Sequence, residues 1–546
     1  MIKPSKFLRI TFFFLFACIS AFSQSKTDKR PNILLILADD MGYSDLGCYG
    51  GEMNTPNIDK LAAGGIKFTN FYNAARCCPT RASLLTGLYP HQAGIGDMVY
   101  RNDGPGYYGF LNENTVTLAE VLKSAGYQTM MSGKWHVGHK KGQWPEDRGF
   151  EDFYGIHKHV DSYYKVLEGC DVYYNGKVIQ KANEPPVNKL HPEKEWYTTD
   201  VFTDYALKFL DEAKNNSKPY FLYLPYNSPH FPLEAPDEDI AKYRNSYDKG
   251  WDVLREEKLV RMKKLGIVPS NTILSPSENP KWSSLSADDR KELAFRRAIY
   301  AAQVDRMDQN IGRVIAELKK NGQYDNTVII FLSDNGCSNE VGMFGFNFDK
   351  YKISNYPEWK RVGGWSVSQG QAWANASNVP FRLYKKNTHQ GGIATPLIIN
   401  WPANLKNKGV ISKQVGHIID IMPTLAELAQ AKYPSSYDKR VITPEEGTSL
   451  VKYFSKPELS SSRTLFWEHL GNCAMRQGDF ELVKEYPQKE WELYNLKTDP
   501  TELMNLAQTM PDKVKEMDKK YQAWAARAFV RPYPLNVPNK KNNSTE

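Results

Sequence analysis

The chain alternates between unbroken apolar runs of strand length and segments whose apolar residues recur with a helical period. Residues 32–38 (NILLILA) and 327–332 (TVIIFL) are apolar at nearly every position. Each ends abruptly in acidic and turn residues, Asp39-Asp40-Met41-Gly42 in one case and Ser333-Asp334-Asn335-Gly336 in the other. A run without polar alternation has no solvent face, so it predicts a central strand of a sheet covered on both sides. Residues 220–224 and 396–401 have the same character, and helical patterns lie over 116–125, 199–215, 290–321 and 417–430. Strands alternating with helices imply the α/β class, with a large mixed, mostly parallel sheet flanked by helices.

Towards the C-terminus the pattern shortens. Residues 463–467, 473–477, 480–484 and 491–495 read as short strands separated by turns, followed by a helical segment at 511–529. This predicts a small C-terminal α+β subdomain with an antiparallel sheet over 436–546, leaving 24–435 as the catalytic domain. Long insertions at 237–290 and 341–378 are expected to shape a substrate mouth. Their tryptophans Trp282, Trp359, Trp365 and Trp373 point to a saccharide pocket. The first residues read as a signal peptide over 1–23. Lys3, Lys6 and Arg9 precede an apolar stretch too short to span a bilayer, and small residues at Ala21 and Ser23 mark cleavage before Gln24. Export to a bacterial periplasm is the expectation. The alternative is a surface lipoprotein anchored through Cys18, for which Phe16 is a large residue at a small-residue position. No later segment is apolar enough for a stable membrane span.

Composition narrows the function classes. The 546 residues are 41% hydrophobic and 24% charged, ordinary values for a globular protein of several domains. The net charge of +8 falls to about +5 without the leader. No long Lys/Arg block is present, which argues against a nucleic-acid partner, and the mild positive balance suits anionic substrates. Seven scattered cysteines do not form a disulfide framework. The adjacent pair Cys77-Cys78 calls for another explanation, because neighbouring cysteines rarely bridge without strain.

Ligands of open α/β sheets gather at the carboxyl ends of the strands. Asp39, Asp40, Asp334 and Asn335 should therefore converge there. Either pair alone reads most simply as a turn, but both follow buried strands. Several side-chain oxygens without His or thiolate suit a hard cation, and calcium accepts such sets more flexibly than magnesium. In Cys77-Cys78-Pro79-Thr80-Arg81-Ala82-Ser83-Leu84-Leu85-Thr86-Gly87, Pro near the start and Gly at the end predict a short helix, with Cys77 just before it. The N–H groups and dipole there favour negative charge, and Arg81 follows one turn on.

The run Cys77-x-Pro79-x-Arg81 with Leu85-Thr86-Gly87 resembles the signature of the type I, formylglycine-dependent sulfatases of the alkaline-phosphatase-like superfamily, bacterial arylsulfatases above all. Further matching blocks are Gly133-Lys134-Trp135-His136-Val137-Gly138, Ser228-Pro229-His230, Ser333-Asp334-Asn335-Gly336, and Lys385 ahead of Gln390-Gly391-Gly392. Order and spacing agree from about residue 30 to 400, and Trp491-Glu492-Leu493-Tyr494-Asn495 resembles the family's C-terminal subdomain. Two positions depart: Cys78 stands where a small Ser, Thr or Ala is usual, and Gln390 where Glu is frequent.

The resemblance implies that a separate maturase oxidises Cys77 to formylglycine, whose hydrated diol attacks sulfur. It implies one Ca²⁺ held by Asp39, Asp40, Asp334, Asn335 and the oxidised residue 77. Arg81 and Lys134 would hold the diol, and Lys134 and Lys385 the sulfate. His230 would protonate the leaving alcohol, and His136 would deprotonate the second hydroxyl to release sulfate. The substrate implied is a sulfate monoester, of a sulfated carbohydrate cut from its end or of an aryl alcohol. The alternatives are a phosphate or phosphonate monoester hydrolase of the same superfamily and a non-catalytic glycan-binding protein on this scaffold. His139, His157, His159, His389 and His469 receive no role, and His91 and Arg148 are weaker candidates for the mouth.

Overall fold

The computed structural model describes residues 30–459 and 462–535. The expected leader with Cys18, and the end of the Pro- and Asn-rich tail, lie outside the described residues. Ten strands form one sheet: β1 (Asn32–Ala38), β2 (Ile66–Tyr72), β3 (Gln128–Lys134), β4 (Asp152–Ile156), β5 (Val172–Tyr174), β6 (Lys177–Gln180), β7 (Tyr220–Pro225), β8 (Thr327–Ser333), β9 (Ala394–Asn400) and β10 (Val410–His417). Their order is β10-β2-β9-β8-β1-β7-β3-β4-β5-β6. The middle, β8-β1-β7-β3-β4, is parallel throughout.

β1 lies at the centre, paired with β8 from Asn32↔Thr327 to Ala38↔Ser333 and with β7 from Ile33↔Phe221 to Leu37↔Pro225. Its alternate residues enter different cores. Ile33, Leu35 and Leu37 join a cluster with Leu84, Val121 and Leu425, while Leu34 and Ile36 join one with Phe202, Met307 and Ile311. This two-sided burial is why the run is apolar at every position. The helices Cys77–Thr86, Leu118–Ser124 and Ile421–Leu428 cover the first face, and Pro56–Ala63, Thr198–Ala213 and Ala287–Lys320 the second.

β9 runs antiparallel to both β8 and β2. The chain leaves β8 at the carboxyl edge and comes back to that same edge at residue 394, so β9 can only run the other way. The helix at 118 starts at its cap: Thr117 accepts from the Glu120 N–H at 3.1 Å, and Glu120 accepts from the Thr117 N–H at 2.7 Å. The long helix begins at Ala287 because Ser286 accepts from the Asp289 N–H.

The C-terminal strands β13 (Thr464–His469), β14 (Asn472–Gln477), β15 (Phe480–Lys484) and β16 (Glu492–Asn495) form an antiparallel sheet, preceded by the two-stranded β11 (Ser436–Tyr437) and β12 (Arg440–Val441). Helix Pro511–Arg527 packs on this sheet through Trp524, stacked on Phe466 at 5.0 Å. Of the four tryptophans expected to form an aromatic pocket, Trp365 lines the large cleft and the other three are buried elsewhere. Trp282, Trp373 and Trp251 pack edge to face at 4.7–5.6 Å, and Trp359 is buried beside Phe295. These rings build a core of their own under long loops, where their apolar area is removed from water. Trp365 alone of the four is exposed, at 58%.

Candidate active site

The carboxyl edge of the central strands gathers the predicted residues. Asp39 and Asp40 follow β1, Lys134 ends β3, Asp334 and Asn335 follow β8, and Ser228-Pro229-His230 follows β7. Two backbone bonds lock the strand ends together, Asp39 N–H to Ser228 O at 3.0 Å and Asp334 N–H to Ala38 O at 3.1 Å. Asp40 (φ 64°) and His136 (φ 60°) adopt the left-handed region, a local cost that recurs where a side chain must be aimed. Cys77 begins the helix Cys77–Thr86 rather than preceding it, and Gly87 closes that helix at φ 72°.

The charged groups are buried and interlocked. Lys134 Nζ lies 2.5 Å from Asp39 Oδ2, and Lys385 Nζ 2.8 Å from Asp40 Oδ2. Arg81 stands 3.2 Å from Asp334 Oδ2 and 3.4 Å from Asp39 Oδ2, and also donates to Lys134 O at 2.8 Å. His230 Nε2 is 3.2 Å from Asp40 Oδ2. Asn335 donates to Asp40 Oδ1 at 2.6 Å, and the Asp40 N–H donates to Asp334 Oδ1 at 3.0 Å.

Burial would raise the Asp39 carboxyl, but Lys134, His230 and Arg81 hold it well below the carboxylate range. Asp334 is pushed up by burial and then by the Asp39 charge. The Cys77 thiol is drawn well down by its hydrogen bond from Cys78, with His136 and Lys134 adding to this against burial. Burial and Lys134 take His136 down to about 4. The donor atoms of Cys77, Cys78 and His136 lie within 4.8 Å of one another, and so do those of Asp39, Asp40 and His230. A thiolate at Cys77 would raise Asp39, Asp334, Arg81 and Lys385 alike.

The oxygens at the strand ends fit a hard divalent cation. Asp39, Asp40, Asp334 and Asn335 are all buried, and Asp39 Oδ1 and Asn335 Oδ1 are acceptors with no hydrogen-bond partner. Buried acceptors of this kind ordinarily have a donor or an ion, and carboxylate plus amide oxygens are calcium-type ligands.

A cleft of about 1280 Å³ opens onto Cys77, His136, His230 and Lys385. Its wall includes residues to which the sequence assigned no role. His159 stands three residues past β4, with Nδ1 3.0 Å from Lys134 Nζ and its ring 4.4 Å from that of His230. Its position after a parallel strand was the available signal. Arg76, Glu340 and His139 line the cleft as well. His91 and Arg148 do not reach it: His91 Nε2 pairs with Glu468 at 2.7 Å and Arg148 Nε with Glu120 at 3.3 Å, both buried. His157 stacks on Tyr173 at 4.0 Å and Trp144 at 4.7 Å, a packing role.

Cys77 at a helix start, carboxylate and amide oxygens at parallel strand ends and buried cations define an α/β hydrolase of anionic esters with the alkaline-phosphatase-like architecture. The family model Sulfatase matches residues 31–431, and the model for the N-sulphoglucosamine sulphohydrolase C-terminal region matches 381–526. The chain belongs to the sulfatase family and is a sulfuric ester hydrolase. It is 35% identical to an uncharacterized sulfatase of Schizosaccharomyces pombe, over 94% of this chain and 97% of the relative. It is 33% identical to an arylsulfatase of Klebsiella aerogenes, over 77% and 91%. The crystal structure of Ps i-CgsB in complex with k-i-k-neocarrahexaose superposes with a TM-score of 0.67 at 25% identity, covering 93% of this chain and 95% of that one.

Proposed function

We propose that this sulfatase removes sulfate from the end of sulfated carbohydrates, using formylglycine made from Cys77 by a maturase and one calcium ion held by Asp39, Asp40, Asp334 and Asn335. The observation that carries the reading is the cleft wall that Cys77 shares with His136, His230 and Lys385, the last two in contact with Asp40 of the acidic cluster. The saccharide part is supported by the cleft volume and by the saccharide held in the Ps i-CgsB structure. Cys77 is only 2% exposed at the cleft wall, which suits delivery of a terminal sulfate rather than passage of a chain interior. The leader pattern supports export to the periplasm.

Formylglycine supplies a hydrated aldehyde as nucleophile, and calcium supplies positive charge that acidifies it and offsets the sulfate. The chain's own residues do the rest. Arg81 and Lys134 compensate negative charge at position 77, and Lys134 and Lys385 bind sulfate oxygens in a buried site where each contact counts for more than in water. His230 protonates the departing alcohol. His136, neutral because burial and Lys134 depress its pKa, accepts the proton whose loss frees sulfate.

Mass spectrometry of the tryptic peptide containing Cys77, after expression with a maturase, tests the nucleophile. An aldehyde or its hydrate is expected, and a thiol that persists in turnover-competent protein would exclude it. Chelation by EGTA should lower the melting temperature and abolish turnover, with calcium restoring both better than magnesium. Indifference to EGTA would remove the ion.

A further inference from the structure

Arg76 directly precedes Cys77 and caps its helix in an extended conformation, φ −155° and ψ 156°. Its side chain makes no capping hydrogen bond. It lines the same cleft as Cys77 and Lys385, yet its Nε is buried with no partner. Among the described residues no carboxylate pairs with it. After the neighbouring Cys77, the charge it feels most is that of Glu340, a carboxylate paired instead with Lys386. Burial would raise the Glu340 carboxyl, but Lys385, Lys386 and Arg76 hold it down to about 2. Lys385 is itself committed to Asp40. That wall therefore carries more positive charge than its own acids neutralise. Tyr100, 70% exposed, stands on the rim within reach of the Arg76 charge.

Arg76 is half-buried, with its Nε shut off from water and unpaired while the rest of the guanidinium faces the cleft, and a planar fork of this kind matches a sulfate or carboxylate bidentately. The scissile sulfate already has Lys134 and Lys385. We propose that Arg76 recognises a second anionic group, a further sulfate or a carboxylate, on the sugar that bears the scissile sulfate. The preferred substrate is then a polyanionic saccharide. This rests on the sulfated-carbohydrate reading above and deepens it.

The test uses full-length Cys77→Ala protein, which cannot be matured and so reports binding alone. Calorimetry would compare monosulfated galactose and glucosamine with their disulfated forms and with a sulfated uronic acid. The second anion should tighten binding, and adding Arg76→Ala should weaken the dianionic ligands by about tenfold to a hundredfold more than the monoanionic ones. Arg76→Lys should recover part of the loss. The disulfated and uronate arms distinguish the two sources of the anion. In matured enzyme the Arg76→Ala loss should appear in KM and be larger for dianionic sugars than for 4-nitrophenyl sulfate. Equal losses for all ligands would assign Arg76 to the scissile sulfate and overturn the proposal, as would saccharide binding with no preference for a second anion. If no saccharide binds while the matured parent turns over 4-nitrophenyl sulfate, the carbohydrate reading itself fails. Thermal melts of each variant separate these results from misfolding.

Discussion

His230 is oriented from behind. Its Nδ1 faces the Phe231 carbonyl at 2.6 Å, an acceptor that keeps that nitrogen protonated and leaves Nε2, 3.2 Å from Asp40 and 3.4 Å from Lys385, as the site of proton exchange. His230→Ala should therefore slow release of sugar alcohols by roughly 10²–10⁴. The loss should be far smaller for 4-nitrophenyl sulfate, whose phenolate leaves without a proton. A leaving-group series checks this, and a uniform loss would show that His230 does something else. Asp39, Asp40, Asp334 and Asn335 were legible because each follows an apolar run that fixes where its backbone must end. Arg81, Lys134, His136 and Lys385 were legible through resemblance. His159 was not: in the sequence nothing separates it from His157, and only packing sends one ring against Trp144 and the other towards Lys134.

At the scale of the element, β3 delivers Lys134 through a glycine. Gly133 sits at φ 139°, and a Cβ there would stand 2.1 Å from the Pro225 carbonyl oxygen of the neighbouring β7. Gly133→Ala should push β3 away from β7, lower stability by roughly 1–3 kcal/mol, and shift the lysine that contacts Asp39. Melting temperature and turnover should fall together, and an active, fully stable variant would contradict the close approach. The same geometry explains which strands the sequence revealed. β1, β7 and β8 are solid apolar runs, whereas β3 (QTMMSGK) and β4 (DFYGI) are interrupted by polar residues and by Gly133 and Gly155, where the neighbouring backbone leaves no room for a Cβ. β5 and β6, short and partly exposed, have no such run either.

For the molecule as a whole, the C-terminal sheet braces the catalytic one. Trp467 donates to Asn73 O at 2.7 Å, Asn472 to Lys386 O at 3.1 Å, and Gln390 to Glu481 at 2.8 Å. The Gln390 N–H also donates to Glu502. Gln390 departs from the family's frequent Glu, and here its side-chain amide donates to Glu481, which a carboxylate at this position would repel. Burial raises Glu481 to about 7 against the pull of Arg476 and Gln390, and it also raises Glu502 well above the usual carboxylate range, with the charge of Glu481 adding to the effect. Both folded values lie above that of an unfolded glutamate, near 4.3. The stabilisation from holding protons here is complete below about pH 4.3 and lost as pH rises towards 7. Thermal midpoints between pH 4.5 and 7.5 should fall less steeply in Glu481→Gln than in the parent, and parallel curves would refute the raised Glu481 carboxyl. The sequence showed the four C-terminal strands but not this junction, since partners 86 to 394 residues apart leave no local trace.

Cys77 and Cys78 are 2% and 0% exposed, in the first turn of a helix seated on the central sheet. The folded chain leaves the Cys77 thiol reachable only through the cleft and 2% exposed, too little surface for a second enzyme to grasp. On the proposed chemistry, oxidation and folding therefore run as a race along the growing polypeptide, and a molecule that folds first keeps its sulfur and stays inert for life.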